Sequence, residues 1–185
     1  MTDLRRAIRF IRDRAAEYDV DPGRLGLWGG SAGGHLALLL GTTADIFNED
    51  ASEDFELTEA RVAAVVAYFP VTDLQRFVQN APELKQKFPA LILSPEQAQV
   101  LSPIHLVSPD DPPTLIIHGD HDSLVPIVEG RSMYQTLLKV GVKTEFVTIN
   151  GANHGFVGWE ADTALTHTVE WFMEHLTQSQ EDQSP

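Results

Sequence analysis

Apolar residues along this chain fall into alternating rhythms. Leu4, Ala7, Ile8, Ile11 and Ala15 recur at helical spacing with Arg5, Arg6, Arg9, Arg12 and Arg14 between them, which predicts an amphipathic helix capped by Thr2 or Asp3 and ending near Tyr18. Asp21-Pro22-Gly23 then makes a turn. Residues 24–28 read as a short strand, followed by a glycine cluster and an apolar helix over 32–40. Residues 62–69 are nearly all apolar and β-branched, the pattern of a strand buried on both faces. Residues 114–117 repeat it and 144–149 do so more weakly, while 128–140 and 163–176 carry helical patterns. Strands alternating with helices predict an α/β fold, a predominantly parallel sheet of about four strands flanked by helices on both faces.

Residues 72–113 break the rhythm. They are rich in Pro, Gln and charge, with short helical pieces over 83–88 and 95–101. They read either as an excursion over the end of the sheet that shapes a binding site, or as a plain surface connection. No composition break divides residues 1–176, which read as one domain, and the polar tail 177–185 is expected to be disordered. With 185 residues, 43% of them hydrophobic, the chain can bury one good core. Its net charge of -14 repels phosphate backbones and anionic membrane surfaces, so nucleic acid is not an expected partner. The chain has no cysteine, which removes disulfides, thiolate metal sites and a Cys nucleophile but leaves the compartment open. No apolar run reaches membrane-spanning length and no signal peptide is visible.

Chemistry enters at Gly29-Gly30-Ser31-Ala32-Gly33-Gly34, between a predicted strand and a predicted helix. G-x-S-x-G in that setting is a nucleophile elbow, a tight turn that lifts a serine Oγ to where a base can reach it. Small neighbours are expected because a Cβ at those positions would clash with the turn. The Ala32 amide, at the helix N-terminus, can donate to a developing oxyanion. The competing readings are a glycine-rich turn without catalytic meaning and a phosphate loop, and the latter needs a Lys where His35 stands.

Two further clusters follow predicted strands. His118-Gly119-Asp120-His121-Asp122 lies just beyond residues 114–117, where parallel sheets place functional side chains. A carboxylate there can orient a catalytic imidazole. Asp120 sits so close to the strand that it is expected to fix the turn, and Asp122, further out, is the preferred acid. Asn150-Gly151-Ala152-Asn153-His154-Gly155 follows the last strand, and His154 is placed to take the Ser31 proton and return it to a leaving group. The order Ser, Asp, His is that of this fold class. His35 is expected near the site without being its base, His118 as a structural residue of the turn, and His105, His121, His167 and His175 as surface or loop residues. A metal site of His118, His121 and His154 with Asp120 and Asp122 fits no familiar zinc spacing.

Together these residues resemble a known family. Trp28-Gly29-Gly30-Ser31-Ala32-Gly33-Gly34-His35-Leu36-Ala37 is similar to the elbow of bacterial esterases of the α/β-hydrolase superfamily, nearest to a group that includes feruloyl-esterase-like domains and hormone-sensitive-lipase relatives. The stretch from Ser102-Pro103-Ile104 through Asp111-Pro112-Pro113-Thr114 to His118-Gly119-Asp120-His121-Asp122-Ser123-Leu124-Val125-Pro126 resembles that group's acid loop, whose second Asp is the triad acid. Asn153-His154-Gly155 resembles its histidine loop. The resemblance implies the C-terminal part of an α/β-hydrolase fold and a lipase-like serine carboxylic-ester hydrolase. Ser31 would be nucleophile, His154 base and Asp122 orienting acid, with Ala32 and Gly30 on the oxyanion and substrate side. It implies no metal or organic cofactor and a small-molecule ester as partner, by default a short acyl ester such as an acetylated or feruloylated sugar. Prolyl-oligopeptidase-type peptidases share the acid and histidine loops, but their elbow carries an aromatic after the serine where this chain has Ala32.

The departure lies at the front. The family places several strands before the first helix, with a His-Gly-Gly-Gly-type loop supplying a second oxyanion donor, and no such motif exists here. The strand over 24–28 is therefore expected at an exposed sheet edge, where two chains can join by antiparallel pairing. Lacking one oxyanion donor costs about two to three orders of magnitude in turnover. Weak hydrolysis, or a truncated remnant that only binds or oligomerises, is the corresponding expectation.

Overall fold

The computed structural model describes residues 1–43, 61–80 and 82–177. The expected tail over 177–185 lies, apart from Thr177, outside the described residues. In chain order the elements are α1 (Thr2–Asp13), α2 (Ala15–Tyr18), β1 (Gly26–Gly30), α3 (Ala32–Gly41), β2 (Ala64–Tyr68), α4 (Leu74–Asn80), α5 (Leu84–Lys87), α6 (Pro95–Val100), β3 (Thr114–Gly119), α7 (Val128–Val140), β4 (Thr144–Ile149) and α8 (Trp159–Leu176). The strands form a four-stranded sheet in the order β1-β2-β3-β4. All three pairings are parallel.

Several boundaries differ from the sequence reading, each for a local reason. The first helix breaks at Arg14, whose ψ of 18° lies off the helical value, and α2 ends on left-handed Asp19. Neither Thr2 nor Asp3 caps it: Met1 is the N-cap, with no side-chain cap hydrogen bond, because Thr2 is already helical. β1 runs through Gly29 and Gly30 because β2 supplies partners, Gly29 opposite Ala67 and Gly30 opposite Tyr68. Pairing likewise carries β3 on through His118 and Gly119, opposite Thr148 and Ile149. α8 starts at Trp159 because Gly158, with φ of 54°, allows a sharp entry from the histidine loop.

Alternation along β2 builds two cores. Ala64, Val66 and Tyr68 join Leu115, Ile117 and Ile149 against Ala164 and Trp171 of α8. Val65 and Ala67 join Ile116 on the other face, against Ala37 and Leu38 of α3 and Met133 and Leu137 of α7. The fully buried strands explain why β2 and β3 read as continuous apolar runs rather than alternating ones. β1 lies at one edge of the sheet, with Trp28 55% exposed.

The stretch after β2 lies at the surface, with residues 86–90 and 94–97 exposed, and packs a small core beneath it. Val71, Leu74, Phe77, Val78, Leu84 and Ala98 form a small core of their own, completed by Val125. α6 carries a full capping box, Ser94 with Gln97, and Pro95 follows the cap. The buried Glu129 carboxylate at the start of α7 fastens the segment down. It accepts from the Thr72 amide at 2.9 Å, the Asp73 amide at 3.0 Å and Arg76 Nη2 at 2.9 Å. The excursion is thereby tied to the acid loop that precedes α7.

Candidate active site

Three loops at the carboxyl ends of β1, β3 and β4 meet above the sheet. In the first, Ser31 holds φ of 55° and ψ of -118°, a strained conformation for a residue with a side chain. Its amide donates to the Tyr68 carbonyl at 2.9 Å, which anchors the turn to the end of β2. A Cβ on Gly29 would lie 2.5 Å from the Gly33 carbonyl group, and one on Gly34 2.9 Å from the Tyr68 oxygen. On Gly30 it would meet the Phe69 ring at 3.1 Å. The expectation that every small neighbour is sterically required fails at Gly33, where an added Cβ meets nothing within 4 Å among the described residues. The constraint is one-sided: Gly33 presents its backbone, and Gly29 must lack a side chain to receive it. Ala32 opens α3, so its amide has no intrahelical acceptor.

In the second loop Asp122 faces four N–H donors, three of them in hydrogen-bonding geometry. Oδ1 accepts from the amides of Leu124 at 2.9 Å and Val125 at 2.8 Å. Oδ2 accepts from His154 Nδ1 at 2.8 Å and lies 3.4 Å from His118 Nε2. Burial pushes this carboxyl up, but the His118 N–H beside it and the hydrogen bonds from the Val125 amide, His154 and the Leu124 amide outweigh it and hold it at about 2. Asp120 does not reach His154. Its Oδ1 accepts from the Gly151 amide at 2.6 Å and pairs with His121, so it fixes the turn and joins it to the third loop.

The third loop carries His154, whose Nε2 lies 2.9 Å from Ser31 Oγ. An ionised Asp122 can only accept, so Nδ1 bears the proton and Nε2 presents its lone pair to the serine hydroxyl. The Phe69 ring meets the imidazole edge to face at 4.6 Å between centroids and packs against Phe156 at 4.8 Å. Phe69 itself takes φ of 36°, turning the end of β2 toward the site. The structure therefore brings Ser31, Asp122 and His154 into one hydrogen-bonded line, with Gly30 and the Ala32 amide beside it.

Sequence reasoning missed the side chains that hold this line together. Asn153 Oδ1 accepts from the Ser123 amide at 3.0 Å, the Ser123 hydroxyl at 3.0 Å and the His154 amide at 2.7 Å, clamping the acid and histidine loops. The Asn next to His154 was the available signal. Phe69 left none, being one more apolar residue in an apolar run. The other histidines settle as follows. His35 Nδ1 bonds the Val71 carbonyl at 3.0 Å, and burial holds its ring below the ordinary histidine range despite that bond and Glu129. His118 is a fully buried residue of β3 rather than of the turn. His105 and His121 are exposed. His167 and His175 lie on α8, and His175 is half-buried against Trp171 rather than a surface residue. Among the described residues no group of three His, Asp or Glu side chains is placed to hold a metal ion. No described helix is long and apolar enough to cross a membrane.

Comparison with known proteins bears on the family and the fold. The BD-FAE family model matches residues 1–137. Esterase LipQ of Mycobacterium tuberculosis is 31% identical over 165 residues, covering 84% of this chain and 38% of its own length. A truncated form of a carbohydrate esterase from gut microbiota superposes with a TM-score of 0.76 at 28% identity, covering 95% of this chain and 68% of that one. Thermogutta terrifontis esterase 2 phosphorylated by paraoxon superposes with a TM-score of 0.75 at 29% identity, covering 96% and 64%. The chain thus spans well under half the length of the curated relative. The chain belongs to the BD-FAE family, an α/β-hydrolase esterase family.

Proposed function

We propose that this chain carries the reacting centre of a serine carboxylic-ester hydrolase. The supporting observation is the unbroken line from Ser31 Oγ through His154 to Asp122, with steps of 2.9 Å and 2.8 Å. Ser31 Oγ attacks the ester carbonyl as its proton passes to His154 Nε2. Asp122, ionised well below neutral pH, stabilises the imidazolium without taking its proton. The Ala32 amide donates to the oxyanion. Collapse breaks the carbonyl–alkoxide bond, and His154 hands its proton to the departing alcohol. Water then gives a proton to His154 and attacks the acyl carbon, and the acid leaves as Ser31 Oγ recovers its proton. The carbohydrate-esterase neighbour supports esters of sugars as the substrate class.

The test is hydrolysis of p-nitrophenyl acetate by the full chain beside Ser31→Ala, with the matching anilide alongside. Turnover of the ester that falls to background in the variant supports the reading, and equal rates overturn it. Anilide turnover exceeding that of the ester would favour a peptidase. Paraoxon supplies a readout free of turnover, since it phosphorylates the Thermogutta esterase. Mass spectrometry should place one phosphoryl group on Ser31 and none on the Ser31→Ala chain.

A further inference from the structure

His118 has no part in the proton transfers, yet it touches the site at its base. It is 0% exposed at the carboxyl end of β3. Nε2 lies 2.9 Å from the Val125 carbonyl and 3.4 Å from Asp122 Oδ2, the same oxygen that accepts from His154. A carbonyl and a carboxylate both only accept, so Nε2 must carry the ring's hydrogen, which it donates to the Val125 carbonyl while lying beside the carboxylate oxygen. The other nitrogen, Nδ1, is buried without a partner among the described residues. The backbone of Gly130 on α7 packs against it so closely that a Cβ there would sit 2.8 Å away. This ring is fixed in one orientation with one nitrogen sealed off, and the cost of an unsatisfied buried nitrogen is accepted there.

The consequence is geometric. Val125 donates its amide to Asp122 Oδ1 and accepts from His118 at its carbonyl, so three residues close a ring around the carboxylate. The amides of Leu124 and Val125 fix Oδ1, and the His118 N–H, bonded to the Val125 carbonyl, turns its positive edge toward Oδ2 at 3.4 Å, opposing rotation of that oxygen away from His154. We propose that His118 is a positioning residue of the esterase reaction, acting through Asp122 to hold Oδ2 toward His154 Nδ1. The proposal rests on the reading of Ser31, Asp122 and His154 as the reacting line. Neighbouring titratable groups are engaged elsewhere: Glu129 on α7 with Arg76, and Asp120 in the same loop with His121. His154 is the other titratable group bonded to Asp122.

Three measurements test it. In the wild-type chain, long-range 1H–15N correlation of the imidazoles should show His118 with its proton on Nε2. A proton on Nδ1 instead would mean that the ring cannot donate to the Val125 carbonyl or turn an N–H toward Asp122, and the proposal falls without any variant. His118→Phe removes the donor, whereas His118→Gln puts an amide N–H near the place of Nε2. In His118→Phe the Asp122 carboxyl carbon should titrate at higher pH than in the wild type, and in His118→Gln it should move back. The kcat for p-nitrophenyl acetate should fall about two- to tenfold in His118→Phe with KM unchanged, the loss expected for one neutral hydrogen bond, and largely recover in His118→Gln. A residue that only fills space would lower melting temperature in both variants without moving the Asp122 titration. An Asp122 titration and kcat both unchanged in His118→Phe overturn the proposal while leaving the proposed function intact. If wild type and Ser31→Ala hydrolyse ester equally, it is the function that fails, and the Asp122 titration still decides whether His118 holds that carboxylate.

Discussion

Replacing Asp122 by Asn keeps the size of the side chain and removes its charge, which exposes a stability term that the structure fixes in sign and size. Against the push of burial, the His118 N–H beside it and hydrogen bonds from the Val125 amide, His154 and the Leu124 amide hold the folded carboxyl at about 2, compared with 3.8 ordinarily. A carboxyl that is more acidic folded than unfolded contributes stability above its unfolded value and loses it as pH falls through the folded one. At about 1.36 kcal/mol per pH unit the difference is worth ~2.4 kcal/mol, and solvent screening at the loop surface trims it to roughly 1.5–2 kcal/mol. Some two-thirds of that is gone by about pH 2.5. Urea, which leaves ionic strength unchanged, is the suitable denaturant. Between about pH 6 and about pH 2.5 the wild type should lose ~1–1.5 kcal/mol more stability than Asp122→Asn. Taking the difference across pH cancels the constant penalty of placing an amide among four donors. Parallel stability curves for the two chains would refute the assignment of these bonds to Asp122. The same substitution should lower kcat about 10³–10⁴-fold by disturbing the His154 tautomer.

Three other outcomes follow from single contacts. Gly29→Ala drives a Cβ to 2.5 Å from the Gly33 carbonyl group and should cost about 1–3 kcal/mol in stability along with ester turnover. Gly33→Ala meets nothing within 4 Å among the described residues and should be neutral or gain roughly 0.5–1 kcal/mol from helix propensity, so thermal melts of the two variants should diverge. Glu129→Ala strips the acceptor from the Thr72 and Asp73 amides and from Arg76, and urea unfolding should show a loss of about 3–5 kcal/mol. Asn153→Ala frees the acid loop from the histidine loop and should lower kcat by about tenfold, the worth of one to two hydrogen bonds, while CD spectra stay native.

What the sequence determined is what local physics and spacing can carry. Continuous apolar runs marked β2 and β3 because both faces of those strands are covered, and helical spacing marked α7. Ser31, Asp122 and His154 were legible because each sits in a glycine-rich or turn-rich loop just after a strand, where a polar side chain has no packing role to explain it. The preference for Asp122 over Asp120 was also legible, since Asp120 is too near the strand to do more than fix the turn. The tertiary structure alone decided the rest. Gly29 and Gly30 carry no strand propensity, and only the ladder with β2 extends β1 through them. Gly33 looks as constrained as Gly29 in the motif, but which glycine must lack a Cβ depends on which one faces a neighbour's backbone. His118, Asn153, Phe69 and Glu129 reach partners 7, 30, 85 and 57 residues away, respectively. No periodicity records contacts of that kind, because they exist only once the sheet has brought its loops to one end.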